Sequence, residues 1–593
     1  MKTLAKRKFG IRMPENALPK YLVYLVFLLL VNLLIFWVMH SLHPIIYGEN
    51  DDFAMQNLLS GALGDYYLYF PTSNVAFSAV IAGLYQAFPV ANWFAIYMMC
   101  ALILSWAFVG SLLMKKFGIK IGLPLYLVLV PLTFGAFLTY FTFTVITHSL
   151  LIGALACLVS AFYAEDKALR RFLYISFVVL QLLAVFIRKE AVGTAAVYGG
   201  LFVLFALIRY KKRAIALIGV AAASFAVVGA FYAADLAYYK NDSEAGEFKR
   251  WYEARGGLVD FGIPDYNGHA EEYEKLGWTP ADITMVRFHM FPDDPEFSTE
   301  AFEYVASMRE DSPIITNGEA VLSQFLLIFT DNKYPAGFVV VLVVLCGAFV
   351  AAWFSAGKKI VAALLFALPF LLHIAFIMLQ RAPTRMVLPH YLLSIVMLLG
   401  MVDTGALKKD SSADTKALYK RLGTVFCAFL LSVAGVLNAT MFFRQHKAGA
   451  DKGDQQKIIT QDKLYDSIAG DKEHLYVCTS ENHIMLQMCF AHSVFHMFPQ
   501  GYFSNSLHLG GWNARSPFYT GTLEKYSVDM LPRDIIDNEN VYIVIWKGEE
   551  MLTEFFYQKY GVSVKYEIVQ SFDDTVFVCK ATVGTEEEKG LVY

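Results

Sequence analysis

Residues 21–53 read YLVYLVFLLLVNLLIFWVMHSLHPIIYGENDDF. The run 21–39 is interrupted only by Asn32 and is long enough to cross roughly 30 Å of hydrocarbon as a helix. The stretch Tyr47-Gly-Glu-Asn-Asp-Asp-Phe53 comes just after it, so Glu49, Asp51 and Asp52 stand at a membrane surface. No Lys or Arg occurs between Tyr21 and Met114, so these acids have no cation close in sequence. Carboxylates at such an exit are costly unless they have a task, a partner or good access to water.

Composition sets the class. Of 593 residues, 57% are hydrophobic and only 17% are charged, against about 45–50% and about 25% in soluble globular chains. The chain is expected to be a polytopic α-helical membrane protein of about 11 transmembrane helices with some soluble mass. Its formal net charge of −3 gives no hint of nucleic acid as a partner. The first apolar run is too long for a signal-peptide core and lacks a small-residue cleavage site, so it is expected to be kept. The seven cysteines include no CxxC pair, so neither a zinc site nor a redox motif is indicated. Cys478 and Cys489 can pair or stay reduced.

Charge orders the rest of the chain. Lys2, Lys6, Arg7, Lys8, Arg12 and Lys20 precede the first span and place the N-terminus in the cytoplasm. Residues 53–90 read as surface-lying or partly re-entrant helices, because a full span at 73–89 would put Lys115, Lys116 and Lys120 outside. Further spans are expected near 92–114, 121–138, 143–163, 172–187, 192–208, 214–236, 336–356, 360–379, 386–402 and 422–442. A polar segment of about 100 residues, 237–335, lies outside. The membrane domain is therefore 1–443, with outer loops 40–91 and 237–335. Residues 444–593 read as an extracytoplasmic α/β domain, with strands at 474–478, 541–546 and 575–579 and a helix at 552–560.

Two short outer connections break the charge rule. Arg188 and Lys189 end one span, and Arg381 and Arg385 lie between two others. A lipid phosphate or diphosphate at the outer headgroup level would give these cations a purpose, since guanidinium groups bind phosphate oxygens in bidentate fashion. Pairing with Glu190 or with headgroups is the plainer reading. A carboxylate beside a phosphate site suggests glycosyl transfer. It can take the proton of an acceptor hydroxyl, while arginine stabilises the departing phosphate. One carboxylate suffices for a single displacement, which inverts the anomeric configuration. Asp51, Asp52 and Glu49 are the candidate catalytic acids; equally, Asp51 or Asp52 can cap the following helix. Candidate acceptor residues are Arg255 and Asp260 in the outer loop and Trp512 in Leu509-Gly-Gly-Trp-Asn-Ala-Arg515, where Gly-Gly permits a tight turn. His148, His373 and His390 lie within apolar spans and read as satisfied polar groups.

The acidic loop after the first span, the surface helices, the many spans and the outer soluble domain together resemble the GT-C glycosyltransferases, which include oligosaccharyltransferase and protein O-mannosyltransferase. The resemblance covers roughly residues 1–440. It implies a polyprenyl-phosphate-linked sugar donor and a catalytic acid in the first outer loop, which falls on Asp51 or Asp52. The acceptor would be a cell-surface glycan, lipid or protein at the outer face of the cell membrane. The outer loop near Thr139–Thr142 has no acid and no WWD-type motif is present, which argues against transfer to asparagine. No cofactor is called for, and a divalent metal ion is left open. The alternatives are a flippase or transporter of lipid-linked glycans and a polymerase or ligase of lipid-linked oligosaccharides.

Overall fold

The computed structural model describes residues 16–402 and 452–590, apart from 43, 131–133, 135, 140, 310–314, 316, 330–338, 342, 345, 347–355, 480–491, 512, 547–549 and 573. The expected span at 422–442, most of that at 336–356, the basic residues Lys2 to Arg12, Cys489 and Trp512 lie outside the described residues.

The first helices are α1 (Ala17–Leu42), α2 (Asn50–Ser60), α3 (Val75–Ala87) and α4 (Trp93–Phe117). Next come α5 (Ile119–Val130), α6 (Ala136–Thr139), α7 (Phe143–Tyr163), α8 (Lys167–Ile187), α9 (Ala191–Arg209) and α10 (Lys211–Asn241). The polar segment 237–335 holds α11 (Ser243–Val259), α12 (Ala270–Lys275), α13 (Pro280–Arg287), α14 (Thr299–Ser307) and α15 (Gly318–Leu326). Two further spans are α16 (Ala356–Met378) and α17 (Thr384–Met401). Among the described residues, eight helices are long and apolar enough to cross a membrane: α1, α4, α7 to α10, α16 and α17. The chain is a multi-pass membrane protein. Within the expected span at 121–138, the described residues form α5, with Pro124 inside it, and the four-residue α6. α3 has 13 residues, or roughly 20 Å of helix, too short to cross.

Burial sorts the spans. α7 is enclosed on every side by protein, packing on α8, α4 and α17, while α1 turns most of its apolar surface outward. The close approach of α7 to α4 depends on Gly153, where an added Cβ would lie 3.0 Å from the Cα of Ser105. The helix starts follow from sequence: Asn74, Thr142, Asp166 and Asp242 each accept a backbone N–H in the first turn of the helix they precede. His148 sits within α7 with one ring nitrogen 2.7 Å from the Thr144 carbonyl, and His373 bonds the Tyr391 hydroxyl at 3.1 Å.

The C-terminal segment opens with α18 (Lys452–Gly470) and carries β1 (Leu475–Cys478), β2 (Ser506–His508), α19 (Pro517–Lys525), β3 (Val541–Trp546), α20 (Met551–Tyr560), β4 (Val564–Ser571) and β5 (Val576–Val583). Its five strands form one mixed sheet in the order β2-β1-β3-β5-β4, parallel across β2-β1-β3 and antiparallel across β3-β5-β4. The expected strands correspond to β1, β3 and β5; β2 and β4 were not foreseen. Cys478 and Cys579 are free, buried thiols.

This segment is fastened to the loops 40–91 and 237–335. The backbone amides of Val494, Gly501 and Phe503 donate to the carbonyls of Ile45, Gly61 and Ala62, at 2.8, 2.9 and 2.8 Å. On the other loop, Lys559 pairs with Glu296 and lies 3.6 Å from Asp282. Gly511 N–H donates to the His289 carbonyl at 2.7 Å. Gly510 has φ +116°, and a Cβ there would fall 2.2 Å from the same carbonyl. The Gly-Gly pair therefore seats this loop on residues 289–291.

Candidate active site

The acidic stretch is fixed before α2 begins. Tyr47 donates its hydroxyl to Gln56 at 2.7 Å, and Gly48 N–H donates to the Phe141 carbonyl at 3.0 Å. Glu49 is the residue preceding α2, with extended backbone and no side-chain cap bond. Neither Asp51 nor Asp52 occupies the cap position considered for it; both lie in the first turn, where a negative charge suits the helix dipole.

The two aspartates diverge because neighbouring helical residues point to different sides. Asp52 turns inward with Met55, Gln56 and Leu59 and is fully buried. Its Oδ1 accepts the backbone N–H of Phe143, the first residue of α7, at 2.6 Å. Burial pushes its carboxyl well above the ordinary range, the Phe143 N–H opposes this, and Asp51 and Glu49 add to the rise. Asp51 faces the other way and is partly exposed. Burial also raises its carboxyl, Arg385 opposes that, Glu49 adds to it, and Arg255 and Arg188 pull it down again. Three arginines from three elements thus act on one partly accessible carboxylate.

Each arginine is positioned by its neighbours. Arg385, in the first turn of α17, pairs with Glu49 at 2.6 Å, with both side chains about one-third exposed or less. Arg188, which ends α8, donates to the Thr144 hydroxyl at 2.5 Å, lies 3.4 Å from Glu190 and sits over the Phe143 ring. Arg255, on α11, stacks over Tyr252 at 4.9 Å and Phe291 at 5.6 Å. Tyr252, under Arg255, also feels the charges of Asp51, Asp260 and Glu190, and burial with these acids holds its hydroxyl up at about 12.

The other candidates stand apart. Lys189 is buried and bonds Asp235 at 2.8 Å, and Asp235 also accepts the Val75 N–H at 2.9 Å. This lysine is committed to holding α3, α10 and the α8–α9 turn together. Arg381 bonds Asp260 in an exposed pair and lies over Phe261. Among the described residues, no group of three or more His, Cys, Asp or Glu side chains is placed to hold a metal ion.

No family model and no curated protein matches the chain. Solved structures do resemble it. ArnT from Cupriavidus metallidurans in the apo state is 13% identical, with a TM-score of 0.40 over 94% of this chain and 98% of that one. The apo oligosaccharyltransferase of Archaeoglobus fulgidus is also 13% identical, with a TM-score of 0.44 over 96% of this chain and 75% of that one. The resemblance runs through nearly the whole chain. At these TM-scores it carries no weight for activity, which has to be read from the side chains themselves.

Sequence reasoning brought Glu49, Asp51, Arg188 and Arg385 into one outer cluster, and the structure places them together. It read Arg255 as an acceptor residue; in the structure the charge of Arg255 acts on Asp51 together with those of Arg385 and Arg188. It passed over Tyr252, although Tyr252 and Arg255 are three apart on one helix and so share a face.

Proposed function

We propose that the chain is a membrane glycosyltransferase that moves a sugar from a polyprenyl-phosphate carrier to a cell-surface glycan, lipid or protein. The reading is carried by one arrangement: a partly accessible Asp51 that follows the Glu49–Arg385 pair and feels the charges of Arg385, Arg255 and Arg188. Three fixed cations around one free acid make a site for a phosphate-bearing substrate with a base at its edge. The cluster belongs to the face on which the first outer loop, the α8–α9 turn, the α16–α17 connection and the C-terminal segment meet. That face is the extracytoplasmic one, with the N-terminus in the cytoplasm.

In this reading the carrier phosphate lies against Arg385, Arg188 and Arg255. Asp51 accepts the proton of the acceptor hydroxyl as its oxygen attacks the anomeric carbon from the opposite side. The bond from that carbon to the phosphate oxygen breaks, and the arginines take up the charge that develops on the departing phosphate. Configuration inverts. Glu49 holds the Arg385 guanidinium toward Asp51, and Asp52 holds the start of α7 against α2. No step here is assigned to a metal ion.

The test is reconstitution in proteoliposomes with a panel of polyprenyl-phosphate sugars and a cell-envelope acceptor extract. Release of polyprenyl phosphate together with a new glycosidic product is expected, and Arg385→Gln lowers it at least tenfold. Movement of the intact lipid across the bilayer with no covalent product would contradict the reading and favour a flippase.

A further inference from the structure

Ala54 and Leu58 follow Asp51 on one face of α2, at spacings of three and seven residues. With Asn57 they line a pocket of about 50 Å³ against the C-terminal segment, closed there by residues that include His508, Asn513 and Phe518. That is room for a few water-sized groups.

The polar groups around this pocket are unusual. Asn57 is 1% exposed, and neither atom of its amide finds a hydrogen-bond partner among the described residues. The Nδ1 of His508 and the Oδ1 of Asn513 are likewise buried and unpartnered. Native proteins satisfy nearly all such groups, because burying them unpaired is unfavourable. Three around one small pocket point to a ligand that completes them.

Their chemistry narrows the ligand. The pocket lining contains no Lys, Arg, Asp or Glu. Burial draws the His508 imidazole down to about 4, so the ring is neutral at ordinary pH. A neutral set that mixes an amide donor, amide acceptors and an imidazole suits hydroxyl groups, which both give and accept hydrogen bonds. It offers nothing to a phosphate or a carboxylate. Phe503 and Phe518 add apolar wall around these polar groups.

We propose that this pocket is the acceptor subsite and binds the hydroxyl groups of a sugar ring on a surface glycan. Asn57 lies six residues beyond Asp51, or roughly 9 Å along the helix, so one helix sets both the acceptor grip and the base. The inference rests on the glycosyltransferase reading for the word acceptor, but the binding itself is tested separately.

The experiment is saturation-transfer NMR on the purified full chain in nanodiscs, with methyl glycosides of glucose, galactose, mannose and N-acetylglucosamine as probes. At least one glycoside is expected to show transfer, and Asn57→Leu and Ala54→Phe each weaken it at least tenfold. Ala54→Phe fills the pocket and removes no hydrogen-bonding group, so its loss at an unchanged thermal midpoint reports on the pocket. Asn57→Ser restores part of the signal. Binding by none of the glycosides, or binding unchanged in both Asn57→Leu and Ala54→Phe, overturns the subsite. Absence of any covalent sugar transfer by the parent chain would overturn the enzymatic reading and leave the subsite standing.

Discussion

Asp52 and Phe143 are 91 positions apart, and a carboxylate oxygen of the first accepts the backbone N–H of the second at 2.6 Å. The acid that follows Asp51 is therefore a clamp between α2 and the most deeply buried span. Its carboxylate closes a helix start that lies in the interior. Asp52→Asn keeps an oxygen at that point and is expected to retain most transfer activity. Asp52→Leu leaves the Phe143 N–H unpaired, at a cost of about 1–3 kcal/mol, and lowers the thermal midpoint measured by intrinsic fluorescence in detergent.

Lys189 and Asp235 form a buried pair, with side-chain exposures of 9% and 1%. Removing one partner strands the other charge, which costs about 3–5 kcal/mol. Lys189→Met should accordingly depress thermal stability strongly. Adding Asp235→Asn should recover much of the loss, since the amide oxygen can still accept the Val75 N–H. Arg381 and Asp260 are 50% and 41% exposed, and breaking such a pair is worth less than about 1 kcal/mol. Arg381→Ala is expected to leave the midpoint unchanged in the same measurement.

Gly510 is held where a side chain has no space and where φ is positive. Gly510→Ala should loosen the contact with residues 289–291. Limited proteolysis is expected to cut the outer loop at least tenfold faster, with the parent as the reference.

Asp293 gives the C-terminal segment a pH dependence. It accepts hydrogen bonds from the Tyr519 hydroxyl at 3.1 Å and, more weakly, from Leu531 N–H at 3.4 Å. Burial lifts its carboxyl to about 6, against the pull of Arg515, Tyr519 and Leu531. The folded state thus keeps a proton that the unfolded chain gives up near pH 3.9. Stability from this group is full below about pH 4, falls as pH rises to about 6, and is flat above that. Asp293→Asn is expected to raise the midpoint at pH 7.5 relative to the parent and to leave it nearly unchanged at pH 4.

The sequence was informative wherever charge had to obey the membrane. Glu49, Asp51, Arg188 and Arg385 stood out because ionic groups beside long apolar runs need partners; Arg385 finds Glu49 and Arg188 finds Glu190. It could not separate Asp51 from Asp52, because that depends on which face of α2 meets α7. Lys189 was separable from Arg188 only as its immediate neighbour on a helix, which points to another side. Its partner lies 46 positions on and inside a span, where no short-range pattern reveals it. The strand β4 carries a legible alternation at Val564, Lys565, Tyr566 and Glu567, which was passed over. β2 has three residues, too few to carry a period, and exists because β1 pairs with it. Asn57 and His508 drew no notice, since a polar residue in an amphipathic helix or a loop is ordinary until its surroundings are known.

The most direct test compares Asp51→Asn with Asp52→Asn in proteoliposomes supplied with a polyprenyl-phosphate sugar that the parent chain uses. General-base catalysis contributes on the order of 10²–10⁴ in rate. Asp51→Asn is therefore expected to lose at least a hundredfold in turnover with donor binding retained, and the parent's activity falls at acid pH along a limb set by the raised Asp51 carboxyl. Asp52→Asn stays within about tenfold of the parent. Full turnover by Asp51→Asn, or loss confined to Asp52→Asn, would contradict the assignment of Asp51 as the base.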